Sequence, residues 1–266
     1  MNYKFFHFNF YVYVFLKMYK IYYMKKIIEY CRYLGISITK EQIEKINYYV
    51  DFLIKENKKY NLTGIKQKEE ILSNLVLKSL IVFHPHGGNQ STIEWFHDKK
   101  ILDIGTGAGI PGLIVKIISP ISDVFLLDSN KKKCEFISQI SKKLNLSGLT
   151  VINDRAEIIA HENEFREKFD LVVSRAVGNL SELSEINIPF IKIGGISMAL
   201  KGKNIQDEIN LSKNASNIMG AAPPSVVKIR LPAYSIDDSI VYWMKINKTP
   251  KNFPRKIGIP HKNPIT

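Results

Sequence analysis

Cysteine is scarce in this chain. Only Cys31 and Cys134 occur, too few for a disulfide framework, so a reducing cytoplasmic setting is expected. Long apolar runs are also missing. The run from Phe10 to Leu16 is followed by Lys17 and Lys20 and falls far short of a bilayer span, and no small-residue cleavage site comes after it. His84, His86 and His97 have no Cys or acidic residues clustered at ligand spacing, so no metal site is expected. Acid is absent from both ends. Residues 1–28 hold five lysines and residues 239–266 hold six Lys or Arg, with no Asp or Glu in either stretch. Of the formal charge of +13, that leaves about +2 for the middle of the chain. Basic ends suit a polyanion such as nucleic acid or an anionic membrane, although a lysine-rich bias without a partner reads the same.

What is present divides into four parts. Eleven of the first 23 residues are Phe or Tyr. Residues 1–23 are read as an upstream extension, with translation starting at Met18 or Met24; an amphipathic membrane contact is the alternative. Residues 24–98 predict a helical subdomain and loop. Ile43, Ile46, Val50, Leu53 and Ile54 recur at helical spacing over 40–57 with Thr39 as cap, a second helix is expected over 67–83, and 84–98 reads as a Gly-, Asn- and His-rich loop. Residues 99–247 alternate strands (100–104, 123–127, 149–152, 169–173, 195–200) with helices (111–119, 130–145, 180–189), then a helical stretch at 203–218. Two last strands, 225–231 and 239–246, are expected to pair as a hairpin, with Pro232 and Asp237-Asp238 in the gap. This predicts an α/β fold: a doubly wound, mostly parallel Rossmann-like sheet closed by an antiparallel hairpin. Residues 248–266 read as a basic, proline-punctuated coil.

Ile101-Leu102-Asp103-Ile104-Gly105-Thr106-Gly107-Ala108-Gly109-Ile110-Pro111-Gly112 is the most informative stretch. A buried strand runs into a glycine turn and then a helix, and the next strand ends in Asp128, 23 residues after Gly105, where a carboxylate holds a ribose diol. The stretch also satisfies the dinucleotide pattern G-x-G-x-x-G. Two details favour S-adenosylmethionine. Asp103 stands where it meets that cofactor's charged amino-acid end and would repel a pyrophosphate, and Gly105 opens the turn further.

Ligands lie beyond the carboxyl ends of the strands in such a sheet. Those ends nominate Gly105, Gly107, Gly109, Ile110, Asp128, Asp154-Arg155-Ala156-Glu157, Ser174-Arg175-Ala176 and Lys201-Gly202-Lys203. Arg155 with Glu157 reads equally as a surface ion pair, Ser174-Arg175 as a cap, and Lys201 as a phosphate contact rather than a catalytic amine. No Asp-Pro-Pro-Tyr-like motif follows the fourth strand, which speaks against exocyclic amines as acceptors. No cysteine lies near strands four and five, which speaks against covalent attack on a pyrimidine. A ring nitrogen such as guanine N7 needs alignment more than a base.

Asn61-Leu62-Thr63, the glycine stretch from Leu102 to Gly112, Leu127-Asp128-Ser129, Arg155-Ala156-Glu157, Ser174-Arg175-Ala176 and Leu200-Lys201-Gly202 occur in that order. Phe253-Pro254-Arg255-Lys256-Ile257-Gly258-Ile259-Pro260 comes near the end. This combination resembles the rRNA small subunit methyltransferase G (glucose-inhibited division protein B) family over about 40–264. The resemblance implies guanine-N7 methylation in a 16S rRNA hairpin loop near the decoding region, with S-adenosylmethionine as cofactor. It also implies that Gly105 and Ile110 line the cofactor, Ala156 and Glu157 sit by its adenine, and Arg175 lies near the reactive end as the catalytic candidate. Asn61, Lys201, Arg255 and Lys256 are assigned to the RNA. A monomer acting on 16S rRNA or the small ribosomal subunit, with no membrane partner, is expected. Asn74 and Leu77-Lys78-Ser79-Leu80 replace the family's His and Leu-Asp-Ser-Leu, and Lys133 replaces its Arg. A non-catalytic RNA-binding module of the same fold and an NAD-dependent oxidoreductase remain as alternatives.

Overall fold

The computed structural model describes Tyr22 and residues 24–84, 92–175 and 178–266. The rest of the aromatic start, His86 and Ala176 lie outside the described residues. Helix α1 covers 24–33 and α2 covers Lys40–Tyr60. Thr39 and Gln42 form a reciprocal capping box at the start of α2. The Gln42 amide reaches further and donates to the carbonyls of Ile117 and Ile118 at 2.9 and 3.0 Å. These are orphan carbonyls at the end of α5 (Gly112–Ile118), so one side chain starts one helix and docks it on another.

The apolar periodicity of 67–83 predicts a single α-helix, but the structure differs. One α-turn, α3 (Lys68–Glu70), passes into a π-helical stretch, Ile71–Leu77, and then a 3-10 turn, Leu80–Phe83. The wider π turn keeps Ile71, Leu72, Val76 and Leu77 buried. The expected loop 84–98 contains a short helix, α4 (Thr92–Phe96). Phe96 anchors it, buried 4.5 Å from the Phe83 ring centroid.

Strands β1 (Lys100–Ile104), β2 (Asp123–Leu127), β3 (Leu149–Ile152), β4 (Phe169–Arg175), β5 (Ile191–Lys201), β6 (Ser225–Leu231) and β7 (Ile236–Met244) form one seven-stranded sheet of order 3-2-1-4-5-7-6. β1 to β5 are parallel, and β7 runs antiparallel between β5 and β6. Helices α6 (Lys131–Lys143), α7 (Ala156–Ile159), α8 (Leu180–Asn187) and α9 (Gln206–Ile218) complete the layers. Alternation along each strand feeds two cores. Ile101, Leu171, Val173, Met198 and Ile240 pack under α2, α5 and α6, whereas Leu102, Ile104, Val172, Ala199 and Val241 face α8 and α9. β7 starts before the expected position, because Asp237 and Asp238 pair in the ladder opposite Arg230 and Ile229. Arg230 lies 3.6 Å from Asp237 and offsets its charge there.

The tail is largely irregular, as expected, but it is anchored. It ends in a short helix, α10 (Ile259–Lys262), and two cations hold its root. Arg166 donates to the carbonyls of Thr249, Pro250 and Phe253 at 2.8–3.0 Å. Lys245, fully buried, donates to Ile188 and Met219 carbonyls and to the Thr249 hydroxyl.

Candidate active site

The turn after β1 shows why this stretch is rich in glycine. Gly105, Gly107 and Gly109 all take φ between 61° and 91°, the left-handed region that costs other residues steric strain. Gly112 is a different case. A Cβ there would lie 2.2 Å from Leu126 and 2.8 Å from Asp103, so α5 reaches this close to β1 and β2 only without a side chain. Tyr49 of α2 adds an outer brace by donating to the Ala108 carbonyl at 3.0 Å.

Asp103 sits under this turn, fully buried. Its Oδ2 accepts from the Thr106 hydroxyl at 2.7 Å and from the Gly112 N–H at 2.8 Å, while Oδ1 is buried without a partner. Burial pushes its carboxyl up to about 7, against the two hydrogen bonds. Asp103 is thus in part the buttress of the turn, with one oxygen left over.

Asp128 receives the same turn from the other side. Its Oδ2 accepts from Gly107 N–H and its Oδ1 from Asn130 N–H, both at 2.8 Å. Each oxygen keeps a lone pair, and the residue faces a cavity of about 470 Å³. Gly105, Ala156 and Glu157 line that cavity as well, so the structure brings four predicted residues from three strand ends together. Ile110 is buried two residues before α5, and, like Asp103, Gly107 and Gly109, it lines neither this cavity nor the next.

Ile257, Gly258 and His261 also line this cavity, a contribution the sequence pattern did not signal. Arg255, expected to meet RNA, is engaged within the protein. Its guanidinium forms an ion pair with Glu185, a fully buried carboxylate of α8, through Nη2 to Oε2 at 2.7 Å and Nε to Oε1 at 3.0 Å. An arginine bound to a buried carboxylate anchors the tail. Lys256 is exposed. Asn61 lines neither this cavity nor the next; it ends α2 in the left-handed conformation, φ 48°.

A second cavity, of about 270 Å³, opens at the ends of β4 and β5. Lys78, Arg175, Lys201 and Asp238 line it. Alternation puts Arg175 on the face of Leu171 and Val173, toward the N-terminal helices, where it donates to the carbonyls of Asn74 and Leu75 in the π-helical stretch. Burial lowers its pKa, while Asp238 and Asp103 raise it. Lys201 is paired, 2.8 Å from Glu208, and donates to the Gly178 carbonyl at 3.0 Å. Lys78 bridges to Asp238 at 2.9 Å. That contact links the departed Leu77-Lys78-Ser79-Leu80 segment to the hairpin.

Among the described residues no group of three His, Cys, Asp or Glu is placed to hold a metal, and no helix is long and apolar enough to cross a membrane. Among solved structures, one described as a predicted O-methyltransferase from Agrobacterium tumefaciens aligns at 16% identity over 58% of this chain and 77% of its own, with a TM-score of 0.47. Sequence relatives reach further. A protein of Carboxydothermus hydrogenoformans named ribosomal RNA small subunit methyltransferase G is 38% identical over 231 residues, 87% of this chain and 95% of the relative. One of the same name from Clostridium kluyveri is 40% identical over 88% of this chain and 95% of its own. The family profile described as rRNA small subunit methyltransferase G matches residues 42–236. With the glycine turn and the ends of β1 to β5 inside that match, this chain belongs to the rRNA small subunit methyltransferase G family.

Proposed function

We propose that this rRNA methyltransferase transfers the methyl group of S-adenosylmethionine to N7 of a guanine in 16S rRNA. The observation that carries this reading is the placement of two cavities at the carboxyl edge of one sheet. Ile104 lines the first; its register partner on β4 is Ser174, and the next residue, Arg175, lines the second. One cavity suits an adenosine, the other a base from a polyanion, and they flank the switch between β1 and β4.

The residues present fit the cofactor. Asp128 has a free lone pair on each oxygen for a ribose diol, and the orphan Oδ1 of Asp103 suits the cationic amino-acid end. When bound, S-adenosylmethionine supplies an electrophilic methyl on a sulfonium, which an N7 lone pair takes with no proton to remove. The work left to the protein is alignment and charge. Arg175, fixed by two carbonyls, keeps further N–H donors for the guanine or the cofactor, and Lys78 and Lys201, each ion-paired, line the cavity beside it. Arg175 is a positioning residue in this scheme.

The test is single-turnover transfer of labelled methyl from S-adenosylmethionine to naked 16S rRNA and to small subunits, followed by base-specific cleavage at 7-methylguanine. Label in one guanine is the expected result. Label in adenine or a pyrimidine, or none despite cofactor binding, would overturn the proposal.

A further inference from the structure

The tail forms part of a site assigned on other grounds, and this bears on what it does. Three acidic side chains from two helices clasp it. Glu157 of α7 accepts from the Gly258 N–H at 3.0 Å. Glu182 of α8 meets His261 Nδ1 at 3.1 Å. Glu185, one turn further along α8, holds Arg255 through the guanidinium and also through its backbone N–H at 2.7 Å. Between these points Ile257 and Gly258 line the first cavity, as Asp128 and Ala156 do. Gly258 takes φ 74°, which lets the chain turn its N–H back onto Glu157.

We infer that residues 255–261 are a cofactor-binding strap: they form the outer wall of the adenosine end of the first cavity, with Ile257 as its apolar contact. The inference rests on the S-adenosylmethionine reading and adds to it a segment outside the nucleotide-binding core. The chemistry is complementary. The cavity floor supplies the apolar side chains of Ile104, Leu127 and Ile186, and an adenine ring desolvated on one face needs a second apolar surface on the other. Ile257 is 51% exposed without a ligand, so it has area left to bury. Glu157 then acts through the strap, since one of its oxygens is already engaged by Gly258.

Calorimetry with S-adenosylmethionine, on the full chain, tests this. Ile257→Ser removes the wall at a half-exposed position that the core does not need, and should weaken binding by about tenfold. Ile257→Leu keeps an apolar surface and should retain the parent affinity. Independently, amide exchange over 255–262 in the parent protein should slow when S-adenosylmethionine is added. Parent-like affinity in Ile257→Ser, with exchange in the strap unchanged by the cofactor, would overturn the inference while leaving the methyltransferase reading in place. Failure of the parent to bind S-adenosylmethionine would instead bring down the cofactor reading on which the strap depends.

Discussion

Arg255→Ala separates two incompatible roles for the basic tail. If Arg255 faces RNA, its loss weakens RNA binding and leaves the fold alone. The structure predicts the reverse. Glu185 is fully buried, and all but one of its hydrogen bonds come from the Arg255 guanidinium; the remaining one is the Arg255 N–H. Removing one partner of a buried ion pair costs about 3–5 kcal/mol, because the other charge stays desolvated. The Arg255 side chain is 29% exposed, so water reaches part of the pair and the lower end of that range applies. A loss of about 3 kcal/mol lowers the melting temperature of a chain this size by roughly 6–12 °C. Urea unfolding and thermal melting measure it, urea being preferable to guanidinium because it does not screen the pair. Adding Glu185→Gln to the alanine variant removes the stranded charge and should recover most of the stability. An Arg255→Ala protein within about 1 kcal/mol of the parent, with RNA affinity reduced, would refute the anchoring role.

Four further outcomes are expected. Asp103 is raised from 3.8 to about 7, so its contribution to stability is complete below about pH 4 and is lost as pH rises through its folded value. A bound cation favours the carboxylate, so S-adenosylmethionine affinity should climb as pH passes through about 7 and flatten in Asp103→Asn, as read by calorimetry. Arg175→Ala should fold, by circular dichroism, yet lose most methyl transfer, and Arg175→Lys should recover only part, because an ammonium lacks the fork that spans Asn74 and Leu75. Gly112→Ala puts a Cβ against Leu126 and Asp103 and should cost about 1–3 kcal/mol in urea unfolding. Neutralising the exposed Lys251, Lys256 and Lys262, with Arg255 kept, should flatten the salt dependence of RNA binding without changing melting temperature.

The parts of this molecule that sequence reveals are those whose cause is local. Apolar runs of four to seven residues marked β1 to β4 and β6 closely, and the glycine turn with Asp128 spans one β-α-β unit whose geometry is fixed by few residues. Causes distant in the chain stayed hidden. Asp237-Asp238 looks like a turn until Arg230 is set opposite it. The tail looks like a free cationic arm because Glu157, Glu182 and Glu185 precede their partners by 70 residues or more. The π-helical widening of Ile71–Leu77 leaves the apolar spacing nearly unchanged, so periodicity reads it as α. Arg175 was legible as a strand-end residue, but its tie to the N-terminal helices depends on that same widening.

The clasp of the tail also sets an order of events in biosynthesis. Glu185 lies 70 residues before Arg255, so at ordinary elongation rates it waits roughly 4–14 s for its counter-ion. By the end of that interval all seven strands have been synthesised, yet α8 carries a carboxylate that cannot be buried without penalty. The nascent protein is expected to stay loose around α8 until the tail arrives, and a polypeptide interrupted before Arg255 lacks both the charge that pairs with Glu185 and the tail residues that line the first cavity. Damage near the 3′ end of the coding message would yield an unstable chain, exposed to proteolysis, rather than a stable enzyme with a shortened arm.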